Sequence, residues 1–280
     1  MHLIMILVAL GLAWFLRLSY RESVQGWTER FCQAMILFVF PPLLLLMTAL
    51  ALVCMGSSGQ MLGIGAGWFS YSIAVGFLGW IGGICLKLAI EGWRFVRKVR
   101  TYPQLEVGGR QSRLLDAPVL FCANVGFWQP ELVISQGLLK TLDSAHLDAV
   151  IAHEQAHYYY RDTFWFFWLG WLRSITAWLP NTDALWQELL VLRELRADCW
   201  ATQYVDPLLL AESLLWVVSH PMMQSENFCA ALYCVAPQTR LEERIEALLA
   251  EPDCLYYPSW KSWTWLLLAF LPLAAIPFHS

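Results

Sequence analysis

The residues of this chain best suited to chemistry gather at His153, Glu154 and His157, which spell H-E-x-x-H within HEQAH (153–157). Two histidines four residues apart project from one face of a helix, one turn apart, so both imidazoles can reach a single ion. Zinc accepts neutral imidazole nitrogen at about 2.0 to 2.1 Å, and a catalytic zinc site takes three protein ligands and leaves a fourth position to water. Glu154 is placed to take that water's proton. With six His and fourteen Glu in 280 residues, such a pentapeptide arises by chance on the order of once per hundred chains, so the third ligand must decide. The extended form of the motif would want His at position 163, which is Thr163. Downstream, Glu194 and Asp198 stand four apart in a strongly helical stretch, 185–204, with capping residues at 181–183. Glu194 is then the expected third ligand, and Asp198 the acceptor of the outer N–H of a metal-bound histidine. The competing reading is a solvated helix face with Arg193 and Arg196 as charge partners.

The elements that must position these groups follow from local pattern. Asp143 or Ser144 caps a helix expected to run to about Asp162, with Leu147, Val150 and Ile151 on its apolar face. Residues 118–122 and 131–135 are short runs of β-formers separated by a loop with Asn124, Gly126 and Pro130, and are expected to pair as a hairpin ended by Gly137 and Leu138. The strand 131–135, with Val133, Ile134 and Ser135, is a candidate edge for an extended peptide substrate, and an internal strand is the alternative. Further helices are expected over 207–219 and 240–250. His146 is expected to cap or to lie at the surface, and packing is expected of Tyr158, Tyr159 and Tyr160. His220, before Pro221, is a candidate transition-state donor.

The solvent of the chain changes along its length. Apolar residues make up 58% and charged residues only 14%, which excludes an ordinary freely soluble globule. Residues 2–16, 31–55 and 61–90 read as three transmembrane helices, and 261–280 as a C-terminal transmembrane helix that is slightly short. Arg17, Arg21 and Arg30 follow the first run and Lys87, Arg94, Arg97, Lys98 and Arg100 collect at the end of the third. This places the N-terminus outside and residues 94–260, the expected peptidase domain, on the cytoplasmic side. The apolar stretch 163–179 cannot be a lone crossing, because Glu194 would then stand across the bilayer from His153. It is expected to lie along the interface, to dip in and return, or to pack within the protein, with Trp165, Trp168, Trp171 and Trp178 suited to the headgroup zone. A net charge of −4 gives no general attraction to nucleic acid. Eight cysteines without paired spacing read as small buried hydrophobes.

HEQAH followed by Arg161 and Asp162, then WLPNTDALW (178–186), RELRAD (193–198) and RLEERIEALL (240–249), resembles the integral-membrane gluzincin peptidases of the penicillin-sensing signal-transducer family. The related prenyl-protein and heat-shock membrane proteases share the H-E-x-x-H and E-x-x-x-D pair. The likeness covers about residues 117–250. It implies a mainly α membrane protein, with transmembrane helices flanking an α+β zincin-like domain that carries a small β-sheet or hairpin. It implies one zinc held by His153, His157 and Glu194, Glu154 as general base, Asp198 as the group that orients a ligand, and a structural or oxyanion-side role for Arg240 or Arg244. The sensors' large extracellular domain is expected to be missing, since the sequence stops at Ser280.

The expected activity is hydrolysis of peptide bonds at or near the cytoplasmic membrane face. The expected partners are a protein or peptide substrate and the lipid bilayer; regulatory proteolysis of a transcriptional repressor is implied by the resemblance alone. The alternative is a non-proteolytic, zinc-stabilised signalling or scaffold protein. A structural zinc site, however, is usually closed and cysteine-rich, which two His, one Glu and an adjacent free Glu are not.

Overall fold

The computed structural model describes residues 2–21, 26–57, 60–61, 64–65, 67–219, 240–250 and 260–278. Helices dominate: α1 (His2–Leu18), α2 (Trp27–Met55), α3 (Trp68–Val99), α4 (Gln136–Thr141), α5 (Ser144–Tyr159), α6 (Asp162–Ile175), α7 (Thr182–Ala201), α8 (Pro207–Ser219), α9 (Leu241–Leu249) and a terminal 3₁₀ helix (Trp260–Phe278). Strands β1 (Gln60–Met61) and β2 (Ile64–Gly65) form a minimal antiparallel pair. Strands β3 (Gln104–Val107), β4 (Arg110–Leu115), β5 (Cys122–Val125) and β6 (Glu131–Ser135) form a mixed sheet. The chain divides into two compact units, one of Met1–Lys87, Trp171–Leu189 and Tyr256–Ser280, the other of Leu88–Gly170 and Leu190–Leu255.

α2, in the first unit, and α3, which runs on from Lys87 into the residues of the second, are long and apolar enough to cross a membrane, by length and composition. α3 begins at Trp68, and ahead of it Gln60–Met61 and Ile64–Gly65 pair as β1 and β2 at the start of the expected third apolar run. α1, at 17 residues, is shorter than α2 and α3. The terminal segment, short as an α-helix, is a 3₁₀ helix of 19 residues, whose rise of about 2.0 Å per residue lengthens it.

Pro41 and Pro42 lie inside α2. Pro42 has no N–H to offer the carbonyl of Phe38, and Arg17 donates to that oxygen at 3.2 Å through Nη2. Through Nη1 the same buried guanidinium donates to Thr182 Oγ1 at 3.1 Å, while Asn181 Nδ2 donates to the Arg17 carbonyl at 2.9 Å. The turn after α6 is thereby fastened to α1, and Leu179 packs with Ala9, Ala13, Leu44 and Leu45.

The second unit carries the HEQAH helix. The order of its sheet is β3-β4-β6-β5. β3 and β4 form a hairpin whose two turn residues, Gly108 (φ 56°) and Gly109 (φ 72°), take the left-handed conformations that a tight two-residue turn requires. β4 and β6 run parallel; β5 and β6 run antiparallel, with Asn124 opposite Leu132. Strands β3 and β4, which the sequence pattern does not announce, make β6 internal. The expected edge at Val133, Ile134 and Ser135 is therefore corrected: all three are buried, and pairing on both sides uses the hydrogen-bonding groups an added peptide would need. The other expected strand begins at Cys122, not at residue 118, since Pro118 has no N–H to give a ladder and pairing starts where Ser135 N donates to the Phe121 carbonyl at 2.9 Å.

Ser135 is also the N-cap of α4, its hydroxyl accepting from Leu138 N at 3.2 Å and donating to the Val119 carbonyl at 2.6 Å. Gly137 therefore opens a short helix where the strand was expected to end. α5 packs on β5 and α8 and stops at Tyr159. Arg161 takes a left-handed φ of 54° and starts α6 one residue later, so the single helix expected to reach Asp162 is two.

A β-carbon at Gly137 would overlap the Pro118 carbonyl and fall 2.6 Å from the Val119 oxygen, both backbone groups that cannot rotate away. Gly137→Ala is expected to destabilise the protein by at least about 2 kcal/mol, read as a lowered midpoint in denaturant titration.

Candidate metal centre

α5 brings His153 and His157 together, and α7 brings Glu194 to them. His153 Nε2 lies 3.1 Å from His157 Nε2 and 3.3 Å from Glu194 Oε2, and His157 Nε2 lies 3.6 Å from Glu194 Oε1. Ligand atoms about 2.0 to 2.1 Å from a tetrahedral ion stand roughly 3.3 Å apart. This triangle therefore has the size a zinc-like ion needs, with both Nε2 atoms turned inward.

Each outward ring nitrogen faces a carboxylate, that of His157 in a hydrogen bond and that of His153 in an ion-pair contact. His153 Nδ1 is 2.8 Å from Asp198 Oδ1, and His157 Nδ1 is 2.7 Å from Asp162 Oδ2. A carboxylate on Nδ1 fixes the tautomer that leaves Nε2 free to ligate. Each carboxylate is neutralised in turn. Arg244 grips Asp198 through two hydrogen bonds, Nε to Oδ2 at 2.7 Å and Nη2 to Oδ1 at 2.8 Å, and Arg196 pairs with Asp162. Arg193 donates to Glu194 Oε1 at 2.6 Å.

Burial alone would raise the carboxyl groups of Glu194, Asp198 and Asp162, but the cations win. Arg193, His157 and Arg244 hold Glu194 well below the usual range; Arg244 and His153 lower Asp198; His157 and Arg196 lower Asp162. For His153, burial pulls down, yet the Asp198 and Glu194 carboxylates push it up to about 9.

Glu154 is oriented from β5. Asn124 donates to Glu154 Oε2 from its backbone N at 3.1 Å and from Nδ2 at 3.0 Å, and Nδ2 also reaches the Glu154 carbonyl at 2.6 Å. Both donors share one carboxylate oxygen, which leaves Oε1 for a substrate or water. Burial, reinforced by the Glu154 charge, keeps the neighbouring Cys122 thiol protonated.

The structure brings His153, Glu154, His157, Glu194 and Asp198 to one place, and Arg244 with them as a buried partner of Asp198 and Glu194. It does not bring Arg240, which pairs with Glu243 at 2.5 Å beside the start of α9, nor Val133, Ile134 and Ser135, which belong to the sheet core. His220 falls outside the described residues. Glu194 and Asp198 are buried, so their face of α7 is not the solvated one, although Arg193 is indeed a charge partner. His146 sits where expected: its N–H and ring meet the capping Asp143, and its other ring nitrogen lies 3.3 Å from Glu212. Asn124 and Asp162 had no assigned role in the sequence reading. In the sequence Asp162 stands five residues beyond His157, at the expected end of its helix and among the residues that carry the resemblance, with nothing to pair it with that imidazole.

Residues 121–194 match the model of peptidase family M48. The match spans β5, β6 and the chain from HEQAH to Glu194, and it indicates a metallopeptidase, a metal-dependent hydrolase of peptide bonds. No curated protein and no solved structure matches the chain.

Two outcomes follow from the charges. Arg244→Met removes the guanidinium that Asp198 shares with Glu194, leaving Asp198 with His153 alone, and is expected to destabilise the metal-free protein by about 3 kcal/mol, and by less with saturating zinc; thermal unfolding with chelator and with zinc compares the two. The metal takes a neutral imidazole, whereas the metal-free His153 stays protonated up to about pH 9. Zinc uptake near neutral pH should therefore release a proton and tighten as pH rises toward that value, as titration calorimetry in buffers of different ionisation enthalpy would report.

Proposed function

We propose that this chain is a membrane-embedded zinc endopeptidase that cleaves a protein substrate at or near the cytoplasmic face. The observation that carries the reading is the triangle of His153 Nε2, His157 Nε2 and Glu194 with a carboxylate behind each imidazole. Zinc held by these three side chains would supply Lewis acidity toward a carbonyl oxygen and make water nucleophilic at neutral pH. Glu154, its Oε2 pinned by Asn124, receives the water's proton on Oε1 and returns it to the leaving amine. Asp198 and Asp162 keep the two imidazoles in the ligating tautomer, and Arg244 and Arg196 keep those two acids ionised.

The substrate lies extended along β5 and not β6, because β5 is last in the sheet order and carries Asn124 beside the base. Main-chain pairing there binds without regard to sequence and leaves selection to pockets.

The length and composition of α2 and α3, together with the basic residues that precede or open α2 and collect at the end of α3, support a multi-pass protein with its N-terminus outside. The exposed Arg173–Asp183 pair and the exposed Trp178 beside the turn after α6 suit the headgroup layer better than hydrocarbon, which supports an interfacial placement of 163–179. A transcriptional repressor as substrate rests on the resemblance alone.

Glu154→Gln is expected to abolish cleavage, by a factor of about 10² or more, while zinc stays at one per chain. Metal analysis of protein purified without chelator, beside a comparison of peptides accumulating in cells with the wild type and the variant, tests it. Undiminished cleavage by the variant would overturn the role of Glu154; intact zinc binding with no cleavage by either protein would favour the scaffold.

A further inference from the structure

On the side of α5 that carries Gln155, Tyr158 and Tyr159, away from the His153 and His157 face, the second unit contains a cavity of about 330 Å³. Its walls are largely aromatic, with Phe127 and Trp128 from the loop after β5, Phe164 from α6 and Trp200 from α7. Two guanidinium groups, Arg110 and Arg161, share this lining, and no carboxylate does.

Elsewhere in the unit Arg100 and Arg113 hold Glu131, Arg193 and Arg244 hold Glu194, Arg196 holds Asp162 and Arg240 holds Glu243. Among the described residues, Arg110 and Arg161 have no carboxylate partner, as Arg94 and Arg97 of α3 have none; what distinguishes the first two is that they line one cavity. Arg110 is steadied over the Tyr158 ring at 5.3 Å from its centroid. Arg161 is set by its backbone: φ is 54°, its N–H donates to the Tyr158 carbonyl at 3.2 Å, and its own carbonyl accepts from Phe164 and Trp165. The left-handed region is unfavourable for a side chain such as arginine's, and here Arg161 belongs to the lining of a basic, aromatic cavity. Trp128 and Tyr159 are 69% and 67% exposed, an apolar surface open to a ligand.

The position ties the cavity to the site. β5 leads from Asn124, which holds Glu154, to Val125, and the chain then turns at Gly126 (φ 138°) to Phe127 and Trp128 in the cavity wall. A peptide extended along β5 past Glu154 would carry a side chain three or four residues from its scissile bond into this cavity.

Resting on the peptidase reading above, we infer that this cavity is a specificity pocket for an acidic residue next to a large apolar or aromatic one, three or four positions to one side of the cleaved bond. Arg110 and Arg161 take the carboxylate and the aromatic walls take its neighbour.

The test is digestion of a proteome-derived peptide mixture by the full-length protein in detergent, with cleavage sites read by mass spectrometry. Wild type, Glu154→Gln, the double variant Arg110→Gln/Arg161→Asn and Arg161→Glu are compared, Asn being chosen because it tolerates the left-handed backbone. Sites that depend on Glu154 are expected to be enriched in Asp or Glu at that distance on one side only. On a matched pair of peptides with Glu or Gln there, wild type should favour Glu by roughly tenfold to hundredfold in kcat/KM, chiefly through KM. The double variant should lose the preference at unchanged zinc content, and Arg161→Glu should shift it toward Lys and Arg. Cleavage that depends on Glu154 without acidic enrichment, or enrichment that survives both variants, would overturn the pocket and leave the peptidase standing. Absence of any Glu154-dependent cleavage would remove both.

Discussion

Everything in the second unit answers to one constraint: two imidazoles and three carboxylates, those of Glu194, Asp198 and Asp162, are buried together. An isolated buried charge is unaffordable in an apolar interior, so each must meet an opposite charge in good geometry. The solution is layered. The Nε2 atoms converge with Glu194 and the Nδ1 atoms rest on acids. The acids rest on arginines from the same helix, as Arg193 does, or from elsewhere in the unit, as Arg244 does. A layer of this kind orients the inner groups because turning any one of them leaves a buried neighbour without its partner.

The same constraint explains the break between α5 and α6. Continued as one helix, the chain would carry Asp162 farther along the axis beyond His157. The left-handed Arg161 turns it back, so that Asp162 reaches His157 Nδ1 and opens the next helix. The strain of that residue thus has a structural use, and it also presents the Arg161 side chain at the aromatic cavity. On the other flank, Asn124 couples strand to helix. One backbone N–H and one amide share a Glu154 oxygen, so the edge of the sheet and the proposed base form a single rigid piece.

In the first unit the problem is reversed, a few polar groups among apolar ones. Arg17 meets the Phe38 carbonyl that Pro42 leaves without a donor, and adds Thr182, while its own carbonyl accepts from Asn181. A proline defect in one helix, an arginine at the end of another and the Asn-Thr of WLPNTDALW complete one another's hydrogen bonds, which gives that part of the motif a structural meaning.

What could be read from the sequence was whatever a single element contains. Residues four apart share a helix face regardless of the rest of the fold, so His153, His157 and Glu194 were legible as a candidate ligand set, with Asp198 as the acid beside it. Apolar runs disclosed α2 and most of α3 because length and composition are local properties. What depends on partners far along the chain was not legible. The strand 131–135 looked like an edge until β4, with a weak pattern of its own, paired beside it, since strand order is decided by long-range hydrogen bonding. Arg240 and Arg244 were indistinguishable in RLEERIEALL, because only burial against α7 selects the one that meets Asp198. Asn124 and Asp162 gained their roles the same way. A short polar side chain carries no signature of which distant charge it will satisfy, and the folded interior, where an unpaired charge is most costly, makes that choice.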